Sequence, residues 1–167
     1  AIAKVTYLED ATGFTPAAMD YANGKFDYGS WANAFFMPRP CMVKSDGTVD
    51  YYLSENDYTK KADGTASDVA NTSYDGNAMM EWGKNGKKIW YKIVPDTGDT
   101  SSATVYIADE QVDPDYVAWS FVNNQGNYVD HFYTAIYNGS NGDASNKMRS
   151  LSGQAVKKSL TGQNEII

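Results

Sequence analysis

Cysteine and histidine are almost missing from this chain of 167 residues: there is one of each, Cys41 and His131. A single cysteine excludes an internal disulfide and every Cys-pair zinc or redox motif. A single histidine excludes His-pair metal motifs of the H-E-x-x-H kind. No apolar run approaches the roughly 20 residues that span a bilayer, so no membrane insertion is expected, and the opening residues lack a signal-peptide pattern. Positive charge is also scarce. Fourteen Lys and Arg stand against 21 Asp and Glu, a formal net charge of -7. Nucleic-acid backbones and anionic membranes select basic patches, so neither is an expected partner. Leu, Ile, Val and Phe make up only about 17% of the chain, low enough to accompany disorder in a charged protein. Thirteen Tyr and four Trp supply the missing apolar area and carry polar handles as well. Few Leu and Glu beside many Val, Thr and Tyr disfavour long helices. Abundant Asn, Asp, Ser, Thr and Gly predict frequent turns.

Residues 1–40 form an expected N-terminal arm. Ala1 to Leu8 reads as a strand. Thr15-Pro16 opens a helical segment through Tyr21, with Thr15 as N-cap and Pro16 in the first turn. Asn23-Gly24 ends that segment or makes a tight turn, and Ser30 to Phe36 reads as a second helical turn halted before Pro38. Phe14, Tyr21, Phe26, Tyr28, Trp31, Phe35 and Phe36 crowd this short stretch. Such an arm cannot build its own core, so it is expected to pack on the following domain, on sister copies or on a larger assembly. Tyr28 and Trp31 are the residues chosen for that attachment or oligomer contact.

Residues 41–167 read as the main domain. Cys41–Lys44 and Val49–Leu53 flank Asp46-Gly47, a strong hairpin signal. Residues 54–76 read as an ordered polar loop, and 77–82 as an apolar segment of unassigned type. Lys88–Val94 and Ala103–Ala108 read as strands of one hairpin with a long loop. Tyr128–Tyr137 is a further strand. The abrupt stop at Glu165-Ile166-Ile167 points to a chain that is part of a longer one.

No motif announces an enzyme. Asp109, Glu110, Asp113, Asp115 and Asp130 lack the spacing of a calcium loop, and Asp113-Pro114-Asp115 reads as a turn. Asp63 to Asp68 places oxygen ligands at alternate positions but lacks the carboxylate density of a calcium site. His131 has no nucleophile with a G-x-S-x-G context and reads as a buried, backbone-bonded imidazole. Cys41, beside Pro40 and an apolar run, reads as a small buried hydrophobe. Asn71-Thr72-Ser73 and Asn138-Gly139-Ser140 match a glycosylation pattern that matters only in a eukaryotic secretory setting. Trp82, Trp90 and Trp119 are candidates for stacking on sugar rings, with core packing as the competing use. No catalytic residue, metal site or cofactor is assigned.

Several strings together resemble a known family. They are Phe26-Asp27-Tyr28-Gly29-Ser30-Trp31, Pro40 through Leu53, Asn56-Asp57-Tyr58-Thr59, Asn77 through Trp82, Lys88 through Lys92, His131 through Gly139, and Lys147 through Gly153. In this order they look like the structural and tail-fibre proteins of bacteriophages that carry a C-type-lectin-like domain of the formylglycine-generating-enzyme type. The resemblance implies an α+β fold: a loop-rich, incomplete C-type-lectin-like domain with short antiparallel strands, preceded by the aromatic arm. It implies a non-enzymatic fibre or spike component on the virion surface that recognises a bacterial surface glycan or receptor. Its other partners would be virion proteins or sister copies, in a homo-oligomer. The alternatives are a structural adaptor that binds no host ligand, and a depolymerase of surface polysaccharide. The latter needs a convergent carboxylate pair.

Overall fold

The structure is a computed structural model. It describes the backbone of residues 2–6, 18–20 and 25–27, and both backbone and side chains of 36–95, 97–98, 103–140 and 148–156. Ten strands are described: β1 (Ile2–Thr6), β2 (Ala18–Asp20), β3 (Lys25–Asp27), β4 (Arg39–Lys44), β5 (Val49–Ser54), β6 (Asp57–Lys61), β7 (Gly76–Trp82), β8 (Trp90–Pro95), β9 (Ala103–Ala108) and β10 (Phe132–Ala135). Among the described residues the only helical pieces are two 3-10 turns, Lys84–Gly86 and Trp119–Phe121.

The expected α+β class is therefore corrected to an antiparallel β fold, and the C-type-lectin-like architecture goes with it. The helix expected over 15–21 meets a strand where it is described, since Ala18–Asp20 pairs with Lys25–Asp27 in the register Met19↔Phe26. Nucleating a helix costs more than so short a segment regains, whereas a ladder satisfies the same backbone groups across strands. Residues 28–35, with Tyr28, Trp31 and most of the second helical turn, lie outside the described residues.

The chain divides into two compact units, Ala1–Pro38 with Trp82–Phe132, and Arg39–Glu81 with Tyr133–Ile167. The first unit holds the three-stranded sheet β1-β9-β8. β1 lies antiparallel on β9 from Ile2↔Ala108 to Thr6↔Thr104. β8 flanks the other side, and the expected 88–108 hairpin is present with Trp90↔Ala108 at one end. Tyr91 and Val117 exchange both backbone hydrogen bonds at 2.9 Å, which ties the 109–118 segment to β8. Ala108, Tyr116, Ala118 and Phe121 are buried. Phe132 meets Phe121 edge-on at 5.0 Å between centroids and lies flat on Trp82 at 5.8 Å.

The second unit is built on the sheet β10-β7-β4-β5-β6. The 41–53 hairpin is β4 and β5. The segment of unassigned type is the central strand β7, paired with β4 from Arg39↔Glu81 to Lys44↔Gly76. The expected polar loop 54–76 contains β6. One sheet face, with Met42, Leu53 and Ala78, packs with Val69 and Leu151 into a core, and Tyr51, Tyr58, Tyr74, Ile136 and Tyr137 close around it. Tyrosine thus supplies the apolar area that the scarce leucines do not.

One turn recurs. In Lys44-Ser45-Asp46-Gly47-Thr48 the N–H of Lys44 donates to Thr48 O (2.8 Å) and that of Gly47 to Lys44 O (2.9 Å). Asp46 accepts from both the N–H and the hydroxyl of Thr48 at 2.8 and 2.7 Å. Lys61-Ala62-Asp63-Gly64-Thr65 repeats all four bonds. Gly47 and Gly64 sit at φ 89 and 87, the left-handed position that admits glycine without strain.

Candidate functional site

The first unit presents an ordered aromatic hairpin. Ala118 to Val122 makes one 3-10 turn, with Phe121 N–H donating to Ala118 O (2.9 Å) and Val122 N–H to Trp119 O (3.1 Å). Val122 then bridges Tyr128, and Val129 N–H donates to Phe121 O at 2.8 Å. The connecting Asn123-Asn124-Gln125-Gly126-Asn127 closes like the two Asp-Gly turns. Asn123 N–H donates to Asn127 O and Gly126 N–H to Asn123 O, both at 2.9 Å. The Asn123 side-chain oxygen accepts from the backbone of Gln125 and Asn127.

This hairpin sorts its aromatic residues sharply. Phe121 is fully buried and anchors the turn, while Trp119, two residues earlier, is 71% exposed. Tyr128 is half exposed, with its ring held at 5.2 Å from Trp90. Val122 is also exposed, and Ser120, Asn124, Gln125 and Asn127 add exposed hydroxyl and amide groups. Of the three tryptophans named as stacking candidates, Trp82 is spent on Phe132 and Trp90 on Tyr128. Trp119 alone among them is largely in solvent. Periodicity does not foretell this, because the segment 116–122 does not keep a strand's alternation.

All the carboxylates singled out in this unit except Glu110 pair with a lysine instead of converging. Lys88 Nζ donates to Asp130 at 2.9 Å, and Lys92 reaches Asp113 at 2.9 Å and Asp115 at 3.5 Å. Lys87 meets Asp109 at 2.5 Å and holds its carboxyl down at about 2. The same hydrogen-bonded lysines lower Asp130 and Asp113. Glu110 is exposed. His131 is half-buried, and its Nδ1 is buried without a hydrogen-bond partner. The backbone-bonded imidazole of the sequence reading is therefore not seen at that atom.

In the second unit, Asp63 closes its turn with Thr65, and Asp68 accepts the Tyr51 hydroxyl at 2.9 Å. Among the described residues no group of three or more His, Cys, Asp or Glu is placed to hold a metal ion. Cys41 is fully buried, with Sγ 3.5 Å from Met79 O. Burial first, and then the Glu81 charge, pushes its thiol up to about 12.

A polar row that sequence reasoning missed crosses four strands of this unit. Arg39 on β4 meets Glu81 on β7 at 2.5 Å and donates to the Tyr52 hydroxyl on β5 at 2.8 Å. Tyr133 on β10 donates to the other Glu81 oxygen at 3.0 Å, and Tyr52 to the first at 3.1 Å. Arg39 also lies 4.1 Å above the Tyr52 ring. Glu81 is only 2% exposed and has both carboxylate oxygens hydrogen-bonded, on the face opposite the core, while Arg39 is partly exposed and its buried Nε has no partner. Tyr28 and Trp31, the chosen attachment residues, lie outside the described residues.

Comparison with protein-family models, curated proteins and solved structures finds no match for the chain.

Proposed function

We propose that this chain is a non-enzymatic surface component of a bacteriophage virion, a fibre or spike part that binds a glycan of the bacterial surface. The observation that carries the reading is Trp119: a large ring, 71% exposed, on a turn pinned by the fully buried Phe121. An exposed aromatic ring offers a flat apolar face to sugar C–H groups, and nearby amides and hydroxyls offer hydrogen bonds to sugar hydroxyls. Tyr128, braced by Trp90, extends that surface at low entropy cost. The lysine-bound carboxylates of the same unit argue against a depolymerase, whose acid and base must converge on one bond. Binding through so shallow a surface is weak per site and gains strength from several copies, as in a homo-oligomeric fibre. Association with sister copies or other virion proteins through residues 1–40, with Tyr28 and Trp31 in the contact, belongs to the same proposal.

The test uses the purified chain on a multivalent support, with host cells and their isolated surface polysaccharide. The wild type is expected to bind. Trp119→Ala is expected to lose at least about tenfold in affinity, as buried aromatic contacts do. Absence of binding to any host surface would leave the structural-adaptor reading in its place.

A further inference from the structure

We propose a second binding site, on the second unit, for a neutral saccharide. It goes beyond the Trp119 reading and stands or falls at different residues. A cavity of about 430 Å³ is lined by Ser45, Thr72, Ser73, Tyr74, Asn77 and Arg149. A neighbouring one of about 210 Å³ shares Asn77, Met148 and Arg149 with it. The larger falls within the roughly 300–1,000 Å³ of small-ligand sites.

The wall is set before any ligand arrives. Asn71 N–H donates to Asp68 O at 2.9 Å, and the Asn71 side-chain oxygen accepts from Ser73 N–H at 3.0 Å. Tyr74 donates to Asp50 at 3.0 Å. The nearly buried guanidinium of Arg149 donates to both Tyr74 O and Gly76 O, at 2.5 and 2.6 Å. A loop fixed at both ends loses little entropy on binding.

The lining chemistry selects the ligand class. The hydroxyls of Ser45, Thr72 and Ser73 make no hydrogen bond to the described residues, and each both donates and accepts. Asn77 spends its side-chain oxygen on Ser150 N–H at 2.8 Å, while its Nδ2 donates to no described residue. This mixed set of donors and acceptors matches sugar hydroxyls, which have the same dual character. Met148, flexible and exposed, supplies an apolar wall for a sugar's C–H face. Arg149 Nη2 is committed to two backbone carbonyls, and the Asp75 carboxylate lining the same cavity offsets the guanidinium charge, so an anionic sugar gains no net attraction there.

The experiment is amide-resolved NMR on the full chain, titrated with maltose, cellobiose, chitobiose and, as the anionic probe, digalacturonate. At least one neutral disaccharide is expected to shift the amides of Thr72, Ser73 and Asn77. Thr72→Trp, which fills the cavity from an exposed position, is expected to weaken those shifts about tenfold or more. Ser45→Trp, at another lining position, supplies a second block should Thr72→Trp misfold. Trp119→Ala is expected to leave the shifts unchanged. No shift at these amides with any neutral probe overturns the proposal, as does a shift that both Trp variants leave intact. Equal or tighter binding of digalacturonate there also overturns it. Shifts confined to 119–128 overturn it while supporting the proposed function, and shifts at 72–77 without any at 119–128 support it independently of the Trp119 reading.

Discussion

Arg39 and Glu81 are direct cross-strand partners in the β4–β7 ladder, and their side chains meet at 2.5 Å with Glu81 almost sealed from solvent. A carboxylate sealed to 2% exposure is not tolerable there without its partner. The pair is held by Tyr52 and Tyr133, whose hydroxyls occupy the remaining carboxylate lone pairs.

Removing one partner is therefore expected to cost far more than removing both. Arg39→Met strands a buried carboxylate and should destabilise the protein by about 3 kcal/mol, whereas Arg39→Met with Glu81→Met should recover most of that loss. Urea unfolding of the two variants checks this. Equal destabilisation by both would show that the charge is not what matters.

Tyrosine ionisation gives a second test. Burial first, and then hydrogen bonding or charge from Asp68 and Glu81, pushes Tyr51 and Tyr133 up to about 12 from an ordinary value near 10. The folded state then holds protons that the unfolded chain releases. Stability from these groups is complete below pH 10 and is lost as pH rises toward 12. Ultraviolet titration of tyrosinate should show a late-titrating subset in the folded protein that disappears in denaturant.

Cys41 should be chemically silent while the sheet is intact. Its thiol is buried and held at about 12, so the nucleophilic thiolate is scarce at neutral pH. A disulfide exchange reagent is expected to modify it only as fast as the protein unfolds. Rapid labelling of folded protein would contradict the burial.

Gly83 should resist substitution. It sits at φ 102, and a Cβ there would lie 2.2 Å from Asp130 O and 3.1 Å from His131 Nδ1. Gly83→Ala is expected to cost at least about 1–3 kcal/mol from backbone strain alone, with the clash added. Thermal unfolding measures it, and Gly86→Ala, at φ 74 with no atom within 4 Å, is the control for strain without clash.

What could be read from the sequence is what is local. The Asp46-Gly47 turn, the strands around it and the β8–β9 hairpin follow from turn chemistry and short-range alternation. β7 escaped because it pairs on both sides and is largely shielded, so Ala78, Met79 and Met80 run together without a polar alternate. β6 escaped because Asp57, Thr59 and Lys60 read as loop, although Asp57 also closes a local turn onto Thr59. The expected helix at 15–21 failed for a related reason: its caps are local, but the partner strand of Ala18–Asp20 decides its backbone. At the candidate site, the tryptophans could be singled out from the sequence as stacking candidates. Which tryptophan is exposed was not, since that depends on Phe121 and Tyr128 finding their own partners. The Arg39–Glu81 row joins residues about 40 positions apart in sequence, and no spacing rule reaches that far.

The Lys-x-Asp-Gly-Thr turn has a bearing on the order in which the chain assembles. A hairpin tip closed by its own side chains needs no distant contact, and such hairpins form in about 1–10 μs. The β4–β7 and β1–β9 ladders must first close long stretches of chain, which is the slower step. The 44–48 and 61–65 tips thus serve as early seeds, and the Arg39–Glu81 row as a late lock. Loss of Asp46 or Asp63 should appear in the folding limb of a chevron plot, and loss of Arg39 in the unfolding limb.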